Sequence, residues 1–264
     1  MDNNKNIAIQ YATNIIEGKI AASNYIKQAC KLFIDNLSRI DLYFNVEAVD
    51  SVIEFINTLY LTEQTKPKHF LLEAWQTFII CNIYGFYIKS SNRRKHKNIY
   101  IEIPRKNGKS QLVNALAIYH LIFDNESQVV VSANSREQAK NVDYKKCVQF
   151  CNQLDPNKKH LKPQFTKIKY QDNELIVTAS DSKKLDGLNC SVAIVDELHE
   201  AKNSGMYDVL KSSQGSRLDP LLMVITTAGF DTTSFCYQLR EYTTKILSGE
   251  VVDDSQFSLI YTLD

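Results

Sequence analysis

Ile99-Tyr100-Ile101-Glu102-Ile103-Pro104-Arg105-Lys106-Asn107-Gly108-Lys109-Ser110-Gln111 is the stretch whose reading decides the fold. An apolar strand runs there into a loop ending Gly-Lys-Ser, and a helix follows. That order is the form of a phosphate cradle. Backbone N–H groups and the helix N-terminus take the β and γ phosphates, the Lys supplies a point charge, and the Ser hydroxyl holds Mg²⁺. The usual pattern, G-x-x-x-x-G-K-[ST], opens with a Gly where this chain has Ile103. Gly-Lys-Ser also occurs in ordinary loops, so the reading needs other parts of a nucleotide site.

Toward the C-terminus, short apolar runs alternate with amphipathic stretches. The pattern predicts strands at Asn98–Ile103, Gln128–Ser132, Ser191–Val195, Leu221–Thr226 and Phe257–Thr262. Helices are predicted from about Lys109 to Phe123, Arg136 to Asn152, Gly205 to Gln214 and Thr233 to Leu247, the second N-capped by Ser135 with Gln138 three places on. Phe165–Tyr170 and Glu174–Thr178, alternating around Gln171-Asp172-Asn173, read as a hairpin near a sheet edge. Strands alternating with helices imply a mostly parallel sheet covered on both faces. Toward the N-terminus the texture differs. Tyr11–Ile16, Ala22–Phe33, Val46–Leu61 and Glu73–Phe86 carry apolar residues at helical spacing, and Lys66-Pro67-Lys68 breaks the pattern, so residues 1–90 read as a helical lead-in to a core spanning 91–264.

Two strand ends supply further parts of a site. Val192-Ala193-Ile194-Val195 runs into Asp196-Glu197 where a buried parallel strand emerges at its carboxyl end, the edge at which open α/β sheets bind ligands. A carboxylate there, Asp196, can hold Mg²⁺ through its water shell, and Glu197 can orient and deprotonate an attacking water. A helix cap or an exposed loop beginning Asp-Glu is the plainer alternative. Leu221–Thr226 ends in Thr226-Thr227-Ala228-Gly229, where a hydroxyl can sense a γ-phosphate or the chain can simply turn at Gly229. Arg217 precedes this strand on a loop suited either to a contact with a neighbouring subunit, where it would stabilise transition-state charge, or to a surface ion pair with Asp219.

Composition narrows the class. The chain has 264 residues, 44% of them hydrophobic, which suffices for a sizeable core. It has no run of about 18 apolar residues, and its polar N-terminus does not read as a signal peptide, so a cytosolic setting without a membrane span is expected. Six cysteines without a C-x-x-C read as buried thiols, Cys147 and Cys151 included. A net charge of +1 leaves nucleic-acid contact to local patches. The candidates are Arg93-Arg94-Lys95-His96-Lys97 and Lys158-Lys159-His160 with Lys162, each of which also reads as a solvated charged loop.

Taken together, Ile103 to Ser110, Ser132-Ala133-Asn134-Ser135-Arg136-Glu137-Gln138-Ala139-Lys140, Val195-Asp196-Glu197-Leu198-His199-Glu200 and Ile225-Thr226-Thr227-Ala228-Gly229 resemble the large terminase subunit of tailed bacteriophages, in the branch typified by phage HK97. The resemblance runs from about Tyr11 to the C-terminus, and a P-loop without its first Gly is what that family tends to carry. It implies an α/β P-loop NTPase of the ASCE type: a mostly parallel central sheet flanked by helices, with an N-terminal helical lead-in. The function it implies is ATP hydrolysis with Mg²⁺ that drives double-stranded DNA into a procapsid, in the host cytoplasm. A homo-oligomeric ring, or a monomer for the isolated domain, and contacts with a small terminase subunit and a portal protein are implied as well.

By the same resemblance, Asn107, Gly108, Lys109, Ser110 and Gln111 bind the nucleotide, Ser110 and Asp196 hold the metal, and Glu197 and Lys109 are catalytic. Arg105 answers the γ-phosphate, and Thr226, Thr227 and Gly229 couple hydrolysis to movement. Trp75-Gln76 is similar to the family's adenine-recognition segment, although Trp75 also reads as core filling. Some terminases carry a trans-acting Arg before the Asp-Glu strand, where this chain reads Lys184-Leu185-Asp186-Gly187-Leu188, which leaves Arg217 as the candidate. DNA contacts are expected of Arg93, Arg94, Lys95, Lys158 and Lys159. The family's C-terminal nuclease would lie beyond Asp264, and no nuclease activity is expected here. A helicase-like translocase and a nucleotide-gated binding module that does not turn over are the alternatives.

Overall fold

A computed structural model describes residues 3–61, 68–179, 187–229 and 231–263, with Arg136 described by its backbone alone. Lys66-Pro67 and Lys184-Leu185-Asp186 lie outside the described residues. The helices are α1 (Asn3–Ile16), α2 (Asn24–Ser38), α3 (Val46–Thr58), α4 (Ala74–Gly85), α5 (Lys109–Phe123), α6 (Arg136–Gln138), α7 (Lys145–Leu154), α8 (Gly205–Ser213) and α9 (Phe235–Ser248). The strands are β1 (Leu42–Phe44), β2 (Tyr60–Leu61), β3 (Lys68–His69), β4 (Phe86–Ile88), β5 (Arg93–Arg94), β6 (Asn98–Glu102), β7 (Gln128–Ala133), β8 (Leu161–Pro163), β9 (Lys167–Tyr170), β10 (Asn173–Ala179), β11 (Val192–Asp196), β12 (Leu221–Thr226) and β13 (Gln256–Ile260).

Eight strands form the central sheet in the order β13-β6-β12-β11-β7-β10-β9-β8. The first six run parallel, while β9 and β8 close the far edge antiparallel. The expected parallel sheet is therefore present, with its hairpin at the edge. β6, β11 and β12 are Val/Ile/Leu-rich runs because both faces are covered, which leaves no solvent side to select alternation. β12 lies between β6 and β11, so Thr226 emerges between the Gly-Lys-Ser loop and the Asp-Glu pair, in register with Glu102 on one side and one place beyond the Asp196–Ile225 pair on the other.

The N-terminal helices pack onto this sheet within one continuous apolar core. α4 is buried almost all round, and its Phe78 ring lies 5.2 Å from Tyr11, 5.0 Å from Phe33 and 6.3 Å from Phe257 of β13. Asn45 caps α3 by accepting the Ala48 N–H at 3.0 Å. A small antiparallel sheet, β1-β4-β5, which the apolar spacing does not predict, links this layer to β6. Pairing of Tyr87 with Arg94 across β4 and β5 draws the basic run inward.

The helix expected from Arg136 to Asn152 is interrupted. Ser135 does cap its start, accepting the Gln138 N–H at 3.1 Å, but Ala139–Tyr144 is π-helical before α7 resumes. A π segment shifts side chains around the axis, and here it turns Asp143 wholly inward. All six cysteines are free and buried. Among the described residues no helix is long and apolar enough to cross a membrane.

Candidate nucleotide site

The carboxyl ends of β6, β12 and β11 bring the three motifs to one edge. β6 is anchored by Glu102, a buried carboxylate that accepts the Tyr100 O–H at 2.9 Å and the Arg240 Nε–H at 3.1 Å. The loop beyond it turns through two left-handed residues, Lys106 (φ 68°) and Gly108 (φ 72°), the latter the N-cap of α5. Gly is needed at 108 for that φ. Ile103, at the missing first Gly, is buried; its N–H donates to Thr226 O at 3.0 Å and its carbonyl accepts from Lys109 Nζ at 3.2 Å. It prolongs the strand, and the left-handed turn falls at Lys106 instead, so an apolar side chain fits at 103. Asn107 ties the loop by donating from Nδ2 to the carbonyls of Pro104 and Arg105 at 3.0 and 3.2 Å.

Lys109 is buried, with Nζ 3.6 Å from Glu197 Oε1. Ser110 Oγ donates to Asp196 Oδ2 at 3.4 Å. Asp196 itself is enclosed, and burial followed by the charges of Asp143 and Glu197 pushes its carboxyl well above the ordinary range. Burial pushes Asp143 up to about 6, against the Asn114 amide that donates to its Oδ1 at 3.1 Å. Glu197 goes the other way. Burial opposes its ionisation, but the His199 contact and the charges of Lys109 and His199 hold it below the usual carboxylate range. Its backbone is left-handed (φ 54°), a strain of about 1–3 kcal/mol of the kind stored at functional sites, and its N–H is fixed to Ile225 O at 2.8 Å.

Asp196 Oδ1, Asp143 Oδ2 and Ser132 Oγ are buried without a hydrogen-bond partner. Orphaned buried oxygens beside a Ser–Asp pair fit Mg²⁺ and its waters, since this ion takes one or two carboxylates, a hydroxyl and water rather than a protein cage. Among the described residues no group of three or more His, Cys, Asp or Glu could hold a metal ion.

The other candidates divide by position. Arg105 is exposed on the cradle loop. Gln76 is buried, accepts the Glu73 N–H at 2.9 Å through Oε1, and brings Nε2 to 3.9 Å from where a side chain at Gly108 would begin. Trp75 is partly buried, donates to Glu73 Oε2 at 2.8 Å and lies edge-on to Tyr261 at 5.9 Å. Gln76 therefore sits beside the loop, while the contacts of Trp75 are with Glu73 and Tyr261. Gln111 Oε1 lies 3.0 Å from the same position at Gly108. Thr226, Thr227 and Gly229 surround His199, which the motif contained but to which sequence reasoning gave no role. The His199 N–H donates to Thr226 Oγ1 at 3.1 Å, Thr227 Oγ1 lies 3.2 Å from His199 Nε2, and a side chain at Gly229 would begin 3.2 Å from His199 Cβ.

Arg217 is not at this edge. Its Nε and Nη2 donate to Asn189 O at 3.0 and 2.7 Å, before β11 and β12 begin, at the opposite end of the strands from the Gly-Lys-Ser loop. Its expected partner Asp219 pairs instead with Arg94, Oδ2 to Nε at 3.1 Å. That pairing corrects the basic run. Arg94 and Lys95 are buried, Lys95 lies 3.1 Å from Asp254, and neither presents its charge to a DNA phosphate; Arg93 is half-buried. Lys158 and Lys159 are exposed beyond α7. A cavity of about 570 Å³ also lies at the amino edge, lined by Tyr84, Arg94, Tyr119, Arg217 and Asp219 among others. It lies away from the motifs, whose chemistry locates the site better than size does.

Asp143 is the site residue that sequence reasoning missed. Its readable signal was a carboxylate among Ala139, Cys147, Phe150 and Cys151, on the buried face.

Comparison with known proteins places the chain in a family. The family model described as the terminase large subunit, ATPase domain matches residues 74–245, well over half of the chain. The large terminase subunit of Enterobacteria phage HK97 is 29% identical over 140 residues, 48% of this chain and 27% of that protein. Protein YmfN of Escherichia coli K12 is 35% identical over 88 residues, 33% of this chain and 19% of that protein. The crystal structure of the HK97 bacteriophage large terminase superposes with a TM-score of 0.66 at 24% identity, covering 81% of this chain and 43% of that one. The chain thus matches from 19% to 43% of the length of these relatives.

Proposed function

The chain belongs to the family of terminase large-subunit ATPase domains, and from that premise we propose that it hydrolyses ATP with Mg²⁺ to drive double-stranded DNA into a procapsid. The observation that carries the reading is the convergence of Lys109, Ser110, Asp196 and Glu197 around buried, unpartnered oxygens at one sheet edge. Gly108 and the first turn of α5 cradle the β and γ phosphates with backbone N–H groups, and Lys109 leaves the Ile103 carbonyl to meet them. Ser110 and Asp196 hold Mg²⁺, which when bound neutralises developing phosphate charge. Glu197, kept ionised by its neighbours, orients water and takes its proton during in-line attack. Arg105 responds to the γ-phosphate. Gln76 reads the adenine edge, on which an amide can both donate and accept, and Trp75 packs nearby.

The working form is a homo-oligomeric ring in the host cytoplasm, with Arg217 a candidate to reach a neighbouring subunit's site. DNA, a small terminase subunit and a portal protein are its partners, and Lys158 and Lys159 are the exposed basic residues available to DNA phosphates. The test is a pair of variants. Lys109→Ala should abolish ATP binding, while Glu197→Gln should retain ATP and slow hydrolysis about 10²- to 10⁴-fold. Unchanged hydrolysis in either refutes the site, and strand separation on naked DNA would favour a helicase-like translocase.

A further inference from the structure

His199 lies at the junction of the Asp-Glu strand and the Thr226–Gly229 segment, with only 11% of its side chain exposed. Its Nδ1 has three partners at nearly equal distance: Thr226 Oγ1 at 3.1 Å, Glu197 Oε2 at 3.2 Å and Thr227 Oγ1 at 3.3 Å. One ring nitrogen makes one strong hydrogen bond, so these contacts compete. The network also assigns the protons. Thr226 donates its hydroxyl hydrogen to Thr227 O at 3.1 Å and accepts the His199 backbone N–H, so toward the ring it can only accept. Glu197, an ionised carboxylate, likewise only accepts. Nδ1 therefore carries a proton shared between Thr226 and Glu197, while Nε2 has the Thr227 hydroxyl at 3.2 Å and Glu200 Oε1 at 3.9 Å. Glu197 Oε2 is not aligned for a full hydrogen bond, which leaves it the partner most easily gained or lost.

We propose that His199 is a positioning residue that ties the carboxylate of Glu197 to the end of β12, so that moving Thr226 and Thr227 re-aims the base and re-aiming the base moves the threonines. This rests on the reading of Glu197 as the base. The backbone is built to transmit the motion: Glu197 N–H is fixed to Ile225 O at 2.8 Å and His199 N–H to Thr226 Oγ1 at 3.1 Å.

The experiment is steady-state ATP hydrolysis and nucleotide binding by the protein carrying His199→Ala or His199→Asn. The Ala variant should lose about 10- to 100-fold in kcat, as expected when a reacting group is misplaced by about an ångström, with ATP affinity within about threefold of wild type. The Asn variant keeps a donor near the Nδ1 position and should recover most of the loss. A kcat for His199→Ala within about twofold of wild type overturns the proposal. So does a loss of kcat matched by an equal loss of ATP affinity without rescue by Asn, which marks a purely structural role. A second measurement needs no turnover. The thermal-midpoint shifts of His199→Ala and Thr227→Val should be less than additive in the double variant, because either change breaks the same link. Additive shifts overturn the link with the nucleotide reading intact, whereas absence of wild-type hydrolysis removes Glu197 as the base and the proposal with it.

Discussion

The two edges of the central sheet handle charge in opposite ways. At the amino edge opposite charges and carbonyls meet: Arg94 with Asp219, Lys95 with Asp254, Arg217 with the Asn189 carbonyl. At the carboxyl edge, beside the Glu102–Arg240 pair, like charges are gathered. Asp143, Asp196 and Glu197 interact with one another around the single buried Lys109, and oxygens are left without partners. The fold stabilises itself at the first edge and at the second holds an acidic, strained arrangement that a cation would relieve. Arg94 and Lys95 are therefore paired within the fold at one edge, while Lys109 faces a cluster of carboxylates at the other, although the sequence offers both Arg94 and Lys109 as candidate ligand contacts.

The sharpest test of the structural edge is acid. His96 is buried between Phe86 and Phe257, its Nδ1–H donating to Asn82 O at 2.7 Å and its Nε2 accepting from Lys95 Nζ at 3.2 Å. Burial, then the Lys95 charge, pushes its pKa down to about 3, with Asp254 partly opposing and Arg39 assisting. A depressed folded-state pKa means the unfolded chain takes the proton first. The stability is fully present above about pH 6.5 and drains as pH falls toward 3, by on the order of 5 kcal/mol in all at about 1.36 kcal/mol per pH unit. Denaturant titrations between pH 7 and 4 should show this slope, and His96→Gln should flatten it. An unchanged slope in the variant would place the acid sensitivity elsewhere.

Why the sequence misreads this edge, yet reads the other, is a matter of where the information lies. The β6, β11 and β12 strands are apolar because each is covered on both faces, and Gly108 and the Asp196-Glu197 pair mark their ends, so local spacing carries the parallel sheet and most of the site. The burial of Arg94 and Lys95 depends on Asp219 and Asp254, more than a hundred residues away, and on the three-residue strand β4, too short to leave a period. Asp143 enters the site only because the helix after β7 turns π at Ala139–Tyr144, a backbone choice with no compositional mark. The partner of Arg217 is likewise a backbone carbonyl, which no side-chain pattern announces.

Arg94→Ala sharpens the comparison at intermediate size. It leaves Asp219 without its ion-pair partner and removes the Arg94 Nη2 donor to the Asp219 carbonyl. Breaking a fully buried pair costs about 3–5 kcal/mol, and because Asp219 keeps 33% side-chain exposure the loss here should be about 2 kcal/mol. ATP affinity should be unaltered. A loss of nucleotide binding with unaltered stability would reverse the assignment and make the amino edge functional.

The smallest expected effect runs the other way. Asp196→Asn removes a buried charge that burial and the neighbouring carboxylates disfavour, and supplies an amide that can donate to Asp143 Oδ2 or Ser132 Oγ, both without a partner. Satisfying one buried acceptor and relieving the repulsion should raise stability in the absence of nucleotide by about 1 kcal/mol. Mg²⁺-dependent ATP binding should fall away in the same variant. Urea unfolding with and without Mg²⁺-ATP measures both: wild type should gain stability from the ligand, and the variant should begin higher and gain little. If Asp196→Asn destabilises the ligand-free protein, then Asp196 supports the fold as the amino-edge charges do, and the contrast between the two edges fails at the residue where it is most exposed to test.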